Sequence, residues 1–279
     1  MPAALRPLSA GELLDLSFGL FRRLFRTLVV IQLICMTLPF LLNVYSASGT
    51  PGQLSPVALL NVLVSFVLSA LASAATAVAI SESYLERPVT PTEALRRARP
   101  RLGPLLVVSL SVGLLVLLAS IPFLVLFAGA AYTMELRGGV PSGLVIFSML
   151  LGMASLVLPL IVASGVAVAT PVVVLEEGVS ATEAVSRAWF LTRGYRLRIA
   201  GLLFVCLILI MIPYMALIGL GAALARGDTA PVWFAVIALL GRLLLTPILY
   251  CLLTLLYYDL RVRKEGFDLE MLAASLQPA

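Results

Sequence analysis

The stretch that decides the fold is PLLVVSLSVGLLVLLASIPFLVLFAGAAY, Pro104 to Tyr132, 29 residues without one charged side chain. A helix rises about 1.5 Å per residue and the hydrocarbon core of a bilayer is about 30 Å thick, so roughly 20 such residues suffice to cross it. Five further stretches meet that condition: Thr27 to Tyr45, Val57 to Ile80, Gly143 to Val174, Ala200 to Ala225 and Pro231 to Tyr258. Over its 279 residues the chain is 61% hydrophobic and 12% charged, whereas a water-soluble domain is about half apolar and about a quarter charged. The expected fold class is all-α, a polytopic membrane bundle of six transmembrane helices.

Segments that flank spans on the cytoplasmic side carry the excess of Lys and Arg. Sixteen of the 19 basic residues fall on one side: Arg6, Arg22, Arg23 and Arg26; Arg87, Arg96, Arg97, Arg99 and Arg101; Arg187, Arg193, Arg196 and Arg198; and Arg261, Arg263 and Lys264. The opposite loops hold Arg137 and Arg226, and Arg242 lies inside span 6. Both termini are therefore expected in the cytoplasm. The net charge of +5 reports this topology and contact with anionic headgroups of the lipid bilayer. No nucleic acid is expected, because a phosphate-tracking patch would not be parcelled out among every inner loop. Cys35, Cys206 and Cys251 fall within apolar stretches and imply no disulfide framework. Tyr45 to Ser48 superficially suits signal cleavage, but the preceding apolar region is long and an amphipathic helix comes before it, so a retained span is expected.

The chain repeats itself. Ser9 with Glu12, Thr90 with Glu93, and Ser180 with Glu183 each place a hydroxyl three residues before a glutamate, the pattern of a helix capping box. Pro91 suits a first helical position, and Thr92-Glu93-Ala94-Leu95 is echoed by Thr182-Glu183-Ala184-Val185. At 27, 29 and 30 residues beyond those glutamates stand Pro39, Pro122 and Pro213, each followed by an aromatic residue. Glu265-Gly266 then echoes Glu177-Gly178, as though a fourth unit began. These echoes imply three units, about 8–85, 89–175 and 179–260, each an interfacial helix followed by two spans, with a tail at 261–279 and a short terminal helix in it. The first interfacial helix sets Glu12, Asp15, Arg22, Arg23 and Arg26 opposite Leu13, Leu14, Phe18, Phe21, Leu24 and Phe25, an arrangement that lies in the headgroup plane. Tyr45, Tyr132 and Trp233 at one set of span ends, and Tyr84, Trp189, Tyr195, Tyr257 and Tyr258 at the other, read as interfacial aromatic belts. Small-residue runs at Ser69 to Ala79 and Ala163 to Thr170 allow close helix approach.

Chemistry is sparse. The chain has no histidine, which removes the usual general base and the commonest metal ligand. No catalytic, cofactor-binding or metal-ligating residue is assigned, and no cofactor is expected. The inner carboxylates, among them Glu12, Glu93, Glu183 and Asp259, alternate with arginines such as Arg261 and read as caps and ion pairs. Arg242 stands out because an unpaired arginine near mid-membrane is costly and usually faces a bundle interior or wet cavity. It reads either as a binding or gating charge or as a structural arginine that reaches backbone carbonyls or the outer interface. Pro39, Pro122 and Pro213 each remove one helical hydrogen bond, freeing the carbonyls of Cys35, Leu118 and Leu209, and are expected to kink their helices and to stand near Arg242.

Three stretches share a further likeness. Arg6 to Asp15 (RPLSAGELLD), Thr182 to Gly194 (TEAVSRAWFLTRG) and Leu256 to Glu270 (LYYDLRVRKEGFDLE) resemble the membrane domain associated with glycerophosphoryl diester phosphodiesterases. The resemblance covers essentially the whole chain, and its third stretch is the most specific. It implies a membrane portion alone, because the phosphodiester chemistry of such proteins belongs to a separate barrel domain with histidines and metal-binding carboxylates. No catalytic residue carries over. The expected role is a non-catalytic scaffold or accessory module for envelope or lipid-related processes, with a membrane or cytoplasmic protein partner; a transporter or lipid-handling permease centred on Arg242 is the alternative. A membrane-embedded lipid hydrolase is a more remote third. Eighteen arginines against one lysine suggest a GC-rich bacterial genome and hence the plasma membrane.

Overall fold

The computed structural model describes residues 7–47, 56–84, 87–136, 142–224 and 230–266. Arg6, Arg137, Arg226 and the expected terminal helix beyond Gly266 lie outside the described residues. Among the described residues, eleven α-helices and one 3-10 turn, at Arg99–Arg101, run in the order α1 (Ala10–Ala47), α2 (Pro56–Tyr84), α3 (Pro91–Ala98), α4 (Leu102–Leu136), α5 (Gly143–Ser155), α6 (Val157–Val166), α7 (Ala169–Leu175), α8 (Ala181–Thr192), α9 (Arg196–Leu224), α10 (Ala230–Leu244) and α11 (Thr246–Glu265). No strand occurs among the described residues. Six helical segments are long and apolar enough to cross a membrane. The protein is an all-helical, multi-pass membrane protein.

The three expected units are built unequally, and punctuation explains why. In the second, Pro100, Gly103 and Pro104 follow α3, and a 3-10 turn separates it from α4. In the third, Gly194 at φ 91° turns the chain between α8 and α9. Between Glu12 and Pro39 the first has no proline and no such glycine turn, so interfacial helix and span fuse into one 38-residue helix. Its apolar face packs on protein: Leu13 is fully buried, and Leu14, Phe18, Phe21 and Leu24 pack on the protein core. Nevertheless the three segments share a register. The residue after each capping glutamate and the one four later are buried in all three: Leu13 and Ser17, Ala94 and Ala98, Ala184 and Ala188.

Pro39, Pro122 and Pro213 sit inside unbroken helices. The interruptions come in spans 4 and 6, at Leu156, at Ala167 and Val168, and at Leu245. Each falls two to four residues ahead of a different proline, Pro159, Pro171 or Pro247, where the pyrrolidine ring has no N–H to continue the hydrogen-bond ladder.

The core gathers at the basic face around α11, where Leu252, Leu255, Leu256, Tyr257 and Leu260 are at most 1% exposed. Against it packs the second half of α2, whose residues from Ala72 to Ile80 are all buried, as the small-residue run requires. Lipid-facing side chains such as Leu110, Val125, Leu150 and Ile212 remain exposed on the outer helices, which is where a bilayer supplies the apolar solvent. Cys35, Cys206 and Cys251 are free and buried. Tyr45 and Tyr132 are exposed like belt residues, but Tyr257 and Tyr258 are buried in the core and are not interfacial anchors.

Close approach is required at Gly165 on α6. A Cβ there would run into the Trp189 ring of α8, and Thr192 Oγ1 donates to the Gly165 carbonyl at 2.9 Å. Gly165→Val therefore lowers the midpoint of thermal unfolding in detergent by displacing α8, whereas Gly113→Ala, with open space around it, leaves the midpoint unchanged or slightly higher.

Candidate functional site

Two polar arrangements stand out, one on the basic face and one within the membrane. The first is built on Asp259 in α11, whose side chain is fully buried. Its Oδ1 accepts from the Leu8 backbone N–H at 2.7 Å. Its Oδ2 accepts from Arg198 Nη1 at 3.1 Å and from Arg263 Nε at 2.9 Å. Both guanidiniums also donate to the Leu8 carbonyl, at 2.5 Å from Arg198 and 2.6 Å from Arg263. One carboxylate thus fastens the segment before α1, the first turn of α9 and the last turns of α11. Two cations surround one anion, and the Leu8 carbonyl dipole takes up part of the surplus positive charge. Arg263, four residues from Asp259, was legible as a helical neighbour; Arg198 and the Leu8 backbone were not, because nothing local connects them.

A second network adjoins it. Glu176, just after α7, accepts from the Tyr257 hydroxyl at 3.0 Å and pairs with Arg187 of α8. Arg187 reaches Glu265 at 3.1 Å, and Arg261 reaches Glu265 at 3.0 Å. Lys264 Nζ donates to the Phe190 carbonyl at 2.8 Å. Arg196 lies over the Trp189 ring, 3.8 Å from its centroid. On the other flank, Arg97 bridges Glu82 at 3.1 Å and Glu93 at 2.5 Å.

The capping glutamates divide accordingly. Ser9 N–H donates to Glu12 at 2.7 Å while Glu12 N–H donates to Ser9 Oγ at 3.3 Å. Ser180 and Glu183 make the same reciprocal pair, at 2.9 and 3.4 Å. In the middle copy Thr90 Oγ1 accepts from Glu93 N–H at 3.3 Å, but the Glu93 carboxylate turns to Arg97. The Ser180 backbone N–H, followed by its hydroxyl, holds the Glu183 carboxyl below its ordinary value.

The second arrangement surrounds Arg242, at the end of α10. Its Nη1 donates to Met36 Sδ at 3.3 Å, and it has no carboxylate partner among the described residues. It stands at a groove of about 90 Å³ between α1, α2 and α10, lined also by Pro39, Asn43, Asn61 and Ser65. Of the three span prolines, Pro39 joins Arg242, whereas Pro122 and Pro213 lie on exposed helix faces. The groove can orient an anionic or strongly polar group but offers no nucleophile with an adjacent base.

No protein-family model, no curated protein and no solved structure matches this chain.

Removing one partner from a buried ion pair costs about 3–5 kcal/mol, since the remaining charge stays buried without compensation. Asp259→Ala, which leaves Arg198 and Arg263 facing each other, is expected to lower thermal stability in detergent by that order; Arg22→Ala, an exposed arginine, leaves it unchanged. The Glu183 cap also carries a pH signature. Because its folded value is lowered, the stabilisation is complete above the ordinary glutamate value of about 4.3 and is lost as pH falls through the folded value. The gap in unfolding midpoint between wild type and Glu183→Ala should therefore close on acidification; a gap that stays constant down to the lowest tolerated pH would contradict the assignment.

Proposed function

We propose that this protein is a non-catalytic module of the bacterial plasma membrane, a scaffold or accessory protein for envelope or lipid-related processes, with its basic face and both termini in the cytoplasm. The observation that carries this reading is the engagement of most of the basic-face carboxylates. Glu12 and Glu183 close helix caps, Glu82 and Glu93 hold Arg97, Glu176 and Glu265 hold Arg187, and Asp259 holds Arg198 and Arg263. An acid or base must present a lone pair or proton to substrate, and these groups are already committed to holding helices together. The result is a firm charged plate presented on one side of the membrane, which suits docking better than turnover. The shared register of the three capped segments supports a threefold internal repeat, and the likeness of residues 256–270 to the glycerophosphodiesterase-associated membrane domain supports an accessory role.

Pull-down of the tagged protein in mild detergent tests this. A reproducible membrane or cytoplasmic partner, lost on reversing the charges of exposed Arg22 and Arg23, is the expected result; a chain recovered alone under every mild condition would count against it.

A second reading, a lipid-handling or solute permease, is favoured by the Arg242 groove. Gln32 Nε2 on α1, Thr76 Oγ1 on α2 and Thr254 Oγ1 on α11 are also buried without hydrogen-bond partners, further polar groups within the spans. Reconstitution with fluorescent lipids or candidate solutes separates the readings. Flux that Arg242→Ala abolishes would establish a permease, and equal flux in wild type and variant would exclude a site centred on this arginine.

A further inference from the structure

Where α2 ends, α3 leads into the 3-10 turn and α7 meets α11, the basic face holds a cavity of about 480 Å³. Arg87, Arg97, Arg101 and Arg261 line it, against two carboxylates, Glu82 and Glu177. Arg97 is held by Glu82 and Glu93, and Arg261 by Glu265. Arg87 and Arg101 line the cavity with no acidic partner among the described residues. The lining also includes Ser81 and Tyr258, both buried, whose hydroxyls are 2.6 Å apart. Val78, Val174 and Leu175 supply apolar lining.

We propose that this cavity binds a phosphate group, with Arg87 and Arg101 as its ligands and the apolar lining accepting whatever the phosphate carries. Arginine presents a planar fork of donors that matches two phosphate oxygens at once, and such charge-assisted contacts are roughly twice as strong as neutral ones. The cavity is lined from the last turns of α2 and α7 and from α11, and its apolar residues Val78, Val174 and Leu175 belong to or pack on the protein core. An anionic phospholipid satisfies both parts, phosphate on the arginines and acyl chain on the apolar lining. Free phosphate satisfies the arginines alone. The site is separate from the Arg242 groove and does not depend on the partner reading, because it uses neither the exposed face of α1 nor the capped helix α8.

The full-length protein in detergent is the sample, and two probes distinguish the sources. Native mass spectrometry after titration with phosphatidylglycerol counts retained lipids, and the thermal shift on adding inorganic phosphate reports the bare anion. Arg87→Gln with Arg101→Gln is the test variant; Arg22→Gln with Arg23→Gln removes the same charge from an exposed helix face. The expected result is one phosphatidylglycerol retained by wild type and by the α1 variant, with binding about tenfold weaker in the Arg87/Arg101 variant. A phosphate-induced shift without lipid retention, also lost in the test variant, would uphold the phosphate site and assign it to a soluble ligand. Equal retention and equal shift in all three proteins, or equal loss in both variants, would overturn the proposal, the latter because it reduces the effect to general surface charge. Unfolding midpoints measured without ligand identify any variant whose loss comes from misfolding; should the double variant fail that check, Arg101→Lys, which keeps the charge but not the fork, takes its place and must weaken binding for the proposal to stand.

Discussion

Asp259 is a charge removed from water inside a protein that is itself surrounded by lipid, so it persists only because each of its oxygens is occupied. Leu8 N–H, Arg198 and Arg263 occupy them, and the Leu8 carbonyl in turn accepts from both arginines. The consequence reaches well beyond one ion pair. The segment entering α1, the start of span 5 and the end of span 6 are held at one point, which sets where α1 begins, how α9 leaves the interface and where α11 stops. Gly266, in the left-handed region at φ 64°, caps α11 immediately after that anchor. The hydrophobic effect does not discriminate between helices already in lipid, since acyl chains are as apolar as leucine. Polar contacts of this kind, together with the tight packing of the α2 alanines, are what remains to select one arrangement.

The two faces of the molecule consequently differ in character. On the basic side, charges are paired across four or more helices, and even the tyrosines expected at the lipid boundary are drawn inside: Tyr257 onto Glu176 and Tyr258 onto Ser81. Toward the opposite side the helices contact one another through fewer polar groups, and Arg242 stands in a groove with asparagine and serine neighbours but no counter-charge among the described residues. A firm plate and a looser, polar-lined opening are different functional resources. The former suits docking and headgroup recognition, the latter passage or entry of a polar group, and this contrast underlies both the accessory and the permease readings.

Helix continuity shows how small differences in punctuation are amplified. Units that resemble each other in sequence differ in shape because proline and glycine fall at different distances from the capping glutamate. With no breaker between Gly19 and Pro39, α1 runs on as one helix; with Pro100 to Pro104 or Gly194 in that interval, α3 and α8 end and lie separately against the spans. The shared burial of Leu13, Ala94 and Ala184 shows that the register of the cap survives these differences. It is set within one helical turn and is independent of the residues further along the chain.

The sequence by itself determined what local chemistry and a single solvent boundary can determine. Six apolar stretches of sufficient length, the caps at Ser9, Thr90 and Ser180 and the small-residue face of α2 were all legible, because hydropathy, cap geometry and side-chain size act over one or a few turns. It also marked Arg242 as a charge needing an explanation and read Asp259 as one of the ion-paired inner carboxylates. Only the tertiary structure decided what that explanation was. Arg242 faces Met36 and Pro39 and not Pro122 or Pro213, Asp259 meets Arg198 and a backbone group 251 positions away, and Arg87 and Arg101 share a cavity with Tyr258. Such pairings depend on which helices become neighbours, and in lipid, where every apolar face is equally acceptable, no hydrophobic pattern along the chain encodes that choice.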